Sequence, residues 1–437
     1  MTVSTSEEGM STSVNYGSLP IINSDGKFDE WMDFGFDGRE ISLFIGPILG
    51  NVDTDFIKVF EGVVDRVVFE DNNVITLTFR DYAKKLDKPV QGDNYATGET
   101  LTFTTDTTKT VTVADSLANQ PKPLVFGEVF NIEPVLVNAA YLVYQVSDEP
   151  IDAITAVYDK GILLTPGTGY RVDLSKGVLE LVNNPSGTIT CDVRGVLLED
   201  NYTTPSTKSY SDKLIRIVKE LCYRSGIVGS KLASTNYEAN IPVGIYIKDR
   251  TNALNIIDEL LNSIDGFMYF DPVGSMIVST LVVPNNVNGS QIGYTTAGLA
   301  YGDIIYDQDI NSDAYIIASD TIPEEVINYS LSTLSTKHLL VKSKPAFVVG
   351  SGEIVGDITI RSLNVPSFRS KVGYKKNYTV TTDVAAATPS IVREFMSSEF
   401  RSYTSEDLTI SNKYLSSIER AQLDSLITQE ANAKAVT

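Results

Sequence analysis

One histidine, His338, is the sole imidazole among 437 residues, so a nucleophilic triad or His-rich metal site would have to be built around it. It heads the apolar run Lys337-His338-Leu339-Leu340-Val341, and neither a Gly-x-Ser-x-Gly elbow nor a reactive-cysteine context accompanies it. A structural or surface histidine is the better reading. Asp307-Gln308-Asp309-Ile310-Asn311 begins like a calcium loop, whose side-chain oxygens suit a hard cation. Ser312 stands where that loop needs glycine, and Ala318 where it needs a bidentate glutamate. A solvated acidic loop is therefore the default, with a weak calcium site as the alternative. Cys191 and Cys222 are too far apart in sequence to chelate locally, and both lie among apolar residues, as buried small hydrophobes do. Gly350-Ser351-Gly352-Glu353-Ile354-Val355-Gly356 misses the dinucleotide fingerprint by one residue and has no helix behind it to receive a phosphate; a hairpin loop fits better. Asp53 and Asp55 form a carboxylate pair of the kind that hydrolyses glycosides. Among 56 acidic residues such a pair says little. No catalytic, cofactor-binding or metal-ligating set emerges, and the chain is expected not to be an enzyme.

Composition narrows the partners. Lys and Arg number 35 against 56 Asp and Glu, a net charge of −21, which repels phosphate and argues against specific nucleic-acid binding. No apolar run approaches the ~18 residues of a spanning helix, so no membrane span is expected. The N-terminal MTVSTSEEGMSTSVNYGS has neither the basic region nor the apolar core of a secretory signal. Two cysteines suit synthesis in a reducing cytosol. Tyrosine, at 22, outnumbers phenylalanine, at 17, as at half-wet interfaces or simply in β-rich proteins. The length predicts two to four domains at ~100–200 residues each.

The pattern predicts a mainly β, multidomain chain with a smaller α+β part. Residues 1–20 read as an extended arm. Residues 21–91 alternate as an antiparallel meander, with Asn72-Asn73 at a turn and Ile75, Leu77 and Phe79 on one face. Residues 92–121 hold the Thr-rich LTFTTDTTKTVTV, a hairpin or linker, and 122–204 a second β domain. An α+β unit follows at 205–285. Its helices are expected over Ser211–Arg224 and Thr251–Asp265, each with a hydroxyl N-cap and a closing glycine, Gly226 or Gly266. In the second helix Leu254, Ile257, Leu260, Leu261 and Ile264 are expected to form the buried face, and a turn at Asp271-Pro272-Val273-Gly274 closes the hairpin behind it. Residues 286–385 are read as strands and loops. The C-terminal 386–437 is read as helical, starting with Pro389 at the first helical position and ending in an amphipathic segment over Leu415–Ala431.

Several residues are explained by no catalytic motif. Asn23-Ser24-Asp25-Gly26-Lys27-Phe28-Asp29, Gly35-Phe36-Asp37-Gly38-Arg39, Phe60-Glu61-Gly62-Val63-Val64-Asp65, Thr78-Phe79-Arg80-Asp81 and Leu86-Asp87-Lys88-Pro89 form an ordered series. It continues through Lys122-Pro123-Leu124-Val125-Phe126-Gly127-Glu128-Val129-Phe130-Asn131 and Val157-Tyr158-Asp159-Lys160-Gly161, and into the helix and hairpin of 251–283. This series resembles the tail-tip or baseplate hub proteins of tailed bacteriophages over about residues 20–285. The resemblance implies β-barrel-like hub domains, a helix–hairpin unit and C-terminal helices. It also implies a structural virion protein, assembled in the host cytoplasm as a homotrimer around the tail axis and bound to other tail or baseplate proteins. A hexameric distal-tail or fibre-adaptor ring protein is the first alternative, and a host-wall glycan-degrading enzyme an alternative of another class. Physically, Gly26, Gly38 and Gly62 mark places where a strand turns or admits another backbone. Arg39 and Arg80 are candidate partners for Asp65 or Asp81.

Overall fold

The computed structural model describes residues 2–6, 9–13, 15–47, 54–70, 73–232, 240–280, 304–307, 314–316, 340–343, 367–413 and 418–436. Strand exceeds helix, one sheet is curled like half a barrel, and helices occur near the C-terminus. The chain divides into two compact units, 1–280 with 365–437, and 281–364. In the second unit the strand Ile304–Asp307 pairs antiparallel with Ala314–Ile316 on one side and Leu340–Ser343 on the other.

The first unit opens with a hairpin, Thr2–Ser6 against Gly9–Ser13, and a four-stranded antiparallel sheet. That sheet is ordered Asn15–Ile22, Val74–Arg80, Ile57–Glu70, Glu40–Ile45. Leu19 pairs with Leu77 and Ile22 with Val74, so the expected boundary between arm and β domain falls inside a strand. Alternation governs Val74–Arg80 as expected: Ile75, Leu77 and Phe79 are buried, because successive side chains leave opposite faces of the pleat. Asn73 takes φ +56° at the turn before it. Gly62 has the close approach expected of it, since a Cβ there would meet the Arg80 carbonyl oxygen at 2.2 Å.

The next block is built on the strand Leu124–Ile132, paired with Ile189–Glu199 on one side and Gly244–Ile247 on the other. Gly127 and Gly244 face each other there, and a Cβ on either would strike the opposing backbone within 1.9 Å. Gly244–Ile247 comes from the expected α+β unit, so that unit and the second β block share a sheet. A further sheet runs Val135–Asn138, Val143–Gln145, Val178–Leu181, Tyr170–Asp173. The Thr-rich segment forms the expected hairpin, Thr100–Thr104 against Thr108–Thr112, with hydroxyl pairs Thr102–Thr110 at 2.9 Å and Thr104–Thr108 at 3.1 Å. It packs Phe103 and Val111 against Tyr95, Val135, Val137, Val143 and Val178, which excludes a free linker.

Helix α1 covers Leu214–Arg224 and α2 Ala253–Asn262, both shorter than expected. Neither has the anticipated hydroxyl N-cap. The flanking residues are Lys213 and Asn252, with no side-chain cap. Ser211 instead accepts from Lys213 N–H, and Thr251 donates its hydroxyl to the Asp249 carbonyl. At the other end of α1 the prediction holds. Gly226 has φ +85°, its N–H reaches the Tyr223 carbonyl, and Ile227 N–H reaches Cys222, a Schellman closure. After α2 the left-handed residue is Asp265, φ +48°, while Gly266 begins the strand Gly266–Phe270. Ile256 is buried and Leu254 only half-buried, so the inward face of α2 is rotated slightly from the expected one.

The C-terminal stretch carries helices Ser390–Met396, Leu408–Lys413 and Glu430–Val436, but strands as well. Ser367–Tyr374 pairs with Arg401–Glu406 and, in parallel, with Ile418–Glu419 and Leu423–Asp424. Residues expected to be an amphipathic helix over Leu415–Ala431 are thus partly strand: Leu426 and Ile427 are buried in the main core, and Ile427 bridges to Val243. Pro389 precedes its helix by one residue, where its rigid φ and missing N–H are still harmless.

Candidate functional site

The residues singled out for chemistry do not converge. His338, Asp53, Asp309, Asn311, Ser312, Ala318 and Gly350–Gly356 lie outside the described residues. Asp307 ends a strand opposite Leu340, and Asp55 is exposed and accepts a hydrogen bond from the Thr54 hydroxyl at 3.0 Å. Both cysteines are free and fully buried. Burial pushes both thiols well up, away from the reactive thiolate. Cys222 rests against the sulfurs of Met268 and Met276 at 3.9 and 3.7 Å. Among the described residues, no three His, Cys, Asp or Glu side chains gather as a metal would require. No helix among them is long and apolar enough to cross a membrane.

The motif residues hold turns and docks. Asn23 accepts from Phe28 N–H at 2.9 Å and donates to Asp29 at 2.7 Å, closing the first loop. Gly26 and Gly38 have φ of +67° and +76°. Lys160 and Gly161, both left-handed, form the two-residue turn between Ile151–Asp159 and Ile162–Leu163, whose twist suits a hairpin. Arg80 pairs with Asp65 at 3.5 Å, shared with Lys84 at 3.2 Å, while Arg39 donates to the Gly35 carbonyl. Asp81 caps the short 3₁₀ helix Tyr82–Leu86 by accepting from Ala83 N–H. Its burial raises the carboxyl to about pKa 6, against the Ala83 bond and Arg80.

Glu61 carries the densest network. It accepts from Lys58 at 2.7 Å, Lys231 at 2.8 Å and the Tyr82 hydroxyl at 2.9 Å. Burial alone would raise its pKa; the bonds from Lys231, Lys58 and Tyr82 overcome that and hold it at about 2. Its own N–H donates to Pro272 O at 2.7 Å. The Asp271–Gly274 turn therefore docks on the N-terminal sheet, with Gly274 so close to the Tyr82 ring that a Cβ would lie 2.7 Å from it. This is a clamp between segments.

One cavity, of about 200 Å³, gathers polar groups. Phe130, Asn131, Tyr158, Asp192, Lys375, Ile391, Val392, Phe395, Met396 and Arg401 line it. Asp192 accepts from Asn131 N–H at 2.8 Å and from the Tyr158 hydroxyl at 3.2 Å. Burial raises its pKa, with those two bonds and the Lys375 charge opposing. Lys375 is left-handed, φ +51°, and its ammonium stands 4.3 Å from the Phe130 ring centre and 5.4 Å from that of Phe395. Burial first, then Arg401, lowers its pKa. Asn131, also left-handed, donates to Asn377 at 2.7 Å and to the Thr379 carbonyl at 2.8 Å. Asn377 in turn donates to the Phe395, Met396 and Ser398 carbonyls and so fixes the end of the helix that walls the cavity. Asn131 and Tyr158 belong to the motif series, but nothing in the sequence joins them to Asp192, Lys375 and Arg401, which come from three other segments. Only a signal in three dimensions could have found this group.

Compared with known proteins, the chain matches no protein-family model and no curated relative.

Proposed function

We propose that this chain is a structural subunit of a phage tail tip or baseplate, a central hub that joins the tail tube to the distal receptor-binding or cell-piercing parts. The observation that carries the assembly half of this reading is the apolar surface of the N-terminal sheet. On its strands Leu19, Ile22, Phe44, Ile45, Ile57 and Val59 are exposed, as are Met32 and Phe34 in the connection between two of them, and Ile45 and Ile57, paired across the sheet, stay 67% and 73% accessible. An exposed apolar pair side by side on neighbouring strands suits contact with another chain. The sheet's outermost strands, Asn15–Ile22 and Glu40–Ile45, have no further strand partner among the described residues. Such edges add strands from a neighbour unless they are covered.

A ring of like subunits supplies the cover: each copy presents the same patch, and a closed symmetric oligomer buries all of them. The hub half of the reading rests on the motif series, whose residues serve here as loop closures and docking points. A structural subunit needs such features, and an enzyme would require a reacting constellation in addition.

Light scattering on the purified chain tests the assembly. A mass of three times 47.7 kDa is expected, and the double substitution Ile45→Lys/Ile57→Lys should yield monomer with unchanged circular dichroism. A chain that is monomeric before mutation, at about micromolar concentration and up, sinks the oligomer. Particle density of six-fold symmetry would move the chain to the distal-tail ring instead.

A further inference from the structure

We propose that the cavity between the strand Leu124–Ile132 and the helix Ser390–Met396 is a binding site for a small organic carboxylate with an apolar body and a hydrogen-bond donor beside the carboxylate. Three observations carry it, none of which depends on the hub reading.

The first is charge. Lys375 and Arg401 both line the cavity, and both lie near the Phe395 ring, their charged groups 5.4 and 5.7 Å from its centre. Among the described residues neither has a carboxylate within ion-pair distance, whereas the next residue, Lys376, pairs with Glu259 at 3.6 Å. Asp192 and Glu128 favour the Lys375 charge, and Glu430 feels that of Arg401, only at longer range, so the two cations stand beside one another with no direct ion pair among the described residues. They repel each other, and an anion between them relieves the repulsion. Asp192 fills that part only in part: it favours the Lys375 charge but makes no ion pair with it, and its two oxygens accept from Asn131 N–H and the Tyr158 hydroxyl.

The second is an orphan acceptor. Asn131 is 1% exposed, yet its side-chain oxygen has no hydrogen-bond partner. A buried acceptor left unmatched is costly, and a small turn of the Asn131 amide towards the cavity it lines would let a ligand hydroxyl or ammonium satisfy it. The third is size and lining. A cavity of ~150 Å³ holds benzene; about 200 Å³ admits a ring plus a carboxylate. Phe130, Ile391, Val392 and Met396 supply the apolar wall, in the usual mixture of apolar lining and few polar anchors.

Titration calorimetry with mandelate, benzoate and benzyl alcohol as probes decides the matter. Mandelate, with both carboxylate and hydroxyl, should bind at least about tenfold more tightly than benzoate, and benzyl alcohol should not bind measurably. Arg401→Met changes an exposed side chain and should weaken mandelate about tenfold or more without shifting the melting temperature. Lys375→Met should do the same, and Lys375→Arg should restore binding. No mandelate heat at millimolar concentration, equal binding of the neutral probe, or affinity indifferent to Arg401→Met would each overturn the proposal.

Discussion

At the residue scale, two buried carboxylates act on stability in opposite directions of pH. The folded pKa of Asp81, about 6, lies above its ordinary value of 3.8. The native state therefore binds the proton more tightly than the unfolded chain does. This contribution to stability is fully present below the unfolded pKa and is lost as pH rises through 6. Asp81→Asn keeps an oxygen to accept from Ala83 N–H and removes the buried charge. Its urea midpoint should exceed the wild-type value at about pH 7.5, with the gap closing towards about pH 4. A lower midpoint at neutral pH would mean that Arg80 offsets the burial. Glu61 runs the other way. Held at about 2, below its ordinary 4.5, it stabilises the fold above that ordinary value, and the contribution disappears as pH falls towards 2. Glu61→Gln should therefore be destabilised at neutral pH, and the same urea series should show its deficit shrinking on acidification.

At the element scale, α2 and the Asn377 junction bear most directly on the core. Leu260 is fully buried among Ile256, Ile257 and Leu261, so Leu260→Ala should cost about 2–5 kcal/mol. A loss under about 0.5 kcal/mol, the scale of a surface change, would show the helix face to be solvated. Asn377 is 1% exposed and gives its amide to three carbonyls at the end of Ser390–Met396. Asn377→Ala leaves those acceptors buried and should cost about 2–4 kcal/mol, measured by the same unfolding midpoint. The elements themselves were legible to different degrees. Val74–Arg80 could be read from alternation, and the end of α1 from Gly226, because both signals are local. The starts of the helices were misread because Ser211 and Thr251 spend their hydroxyl groups on neighbouring loop backbone. The segment at 418–424 looked helical from its apolar spacing, but its backbone is taken up by the strand Ser367–Tyr374, about fifty residues upstream.

For the whole molecule, one hydrophobic cluster extends from Val63 through the β block and both major helices to Ala433. Segments that read as separate blocks are therefore joined. Arg224 in α1 holds Glu149 and Glu220 and lies 5.0 Å from the Phe126 ring centre. Limited proteolysis should report this continuity. Within residues 90–232, a nonspecific protease should cut at the exposed 203–207 loop and spare the Thr-rich hairpin, whose Lys109 reaches the buried Glu180 at 2.6 Å. Early cleavage inside 100–112, read by mass spectrometry, would show that hairpin undocked.

By itself, the sequence determined what depends on neighbours along the chain: mainly β content, the Thr-rich hairpin, the glycines at turns and close approaches, burial of both cysteines, and the surplus of acid. These follow from pleat alternation, backbone conformational limits and composition, all of which are local or additive. Tertiary structure alone decided which strands share a sheet, that Glu61 receives Lys231 from 170 residues away, and that Asn131, Asp192, Lys375 and Arg401 surround one cavity. Those outcomes depend on long-range packing, where the burial of apolar surface outweighs any single local preference and leaves no trace in spacing along the chain.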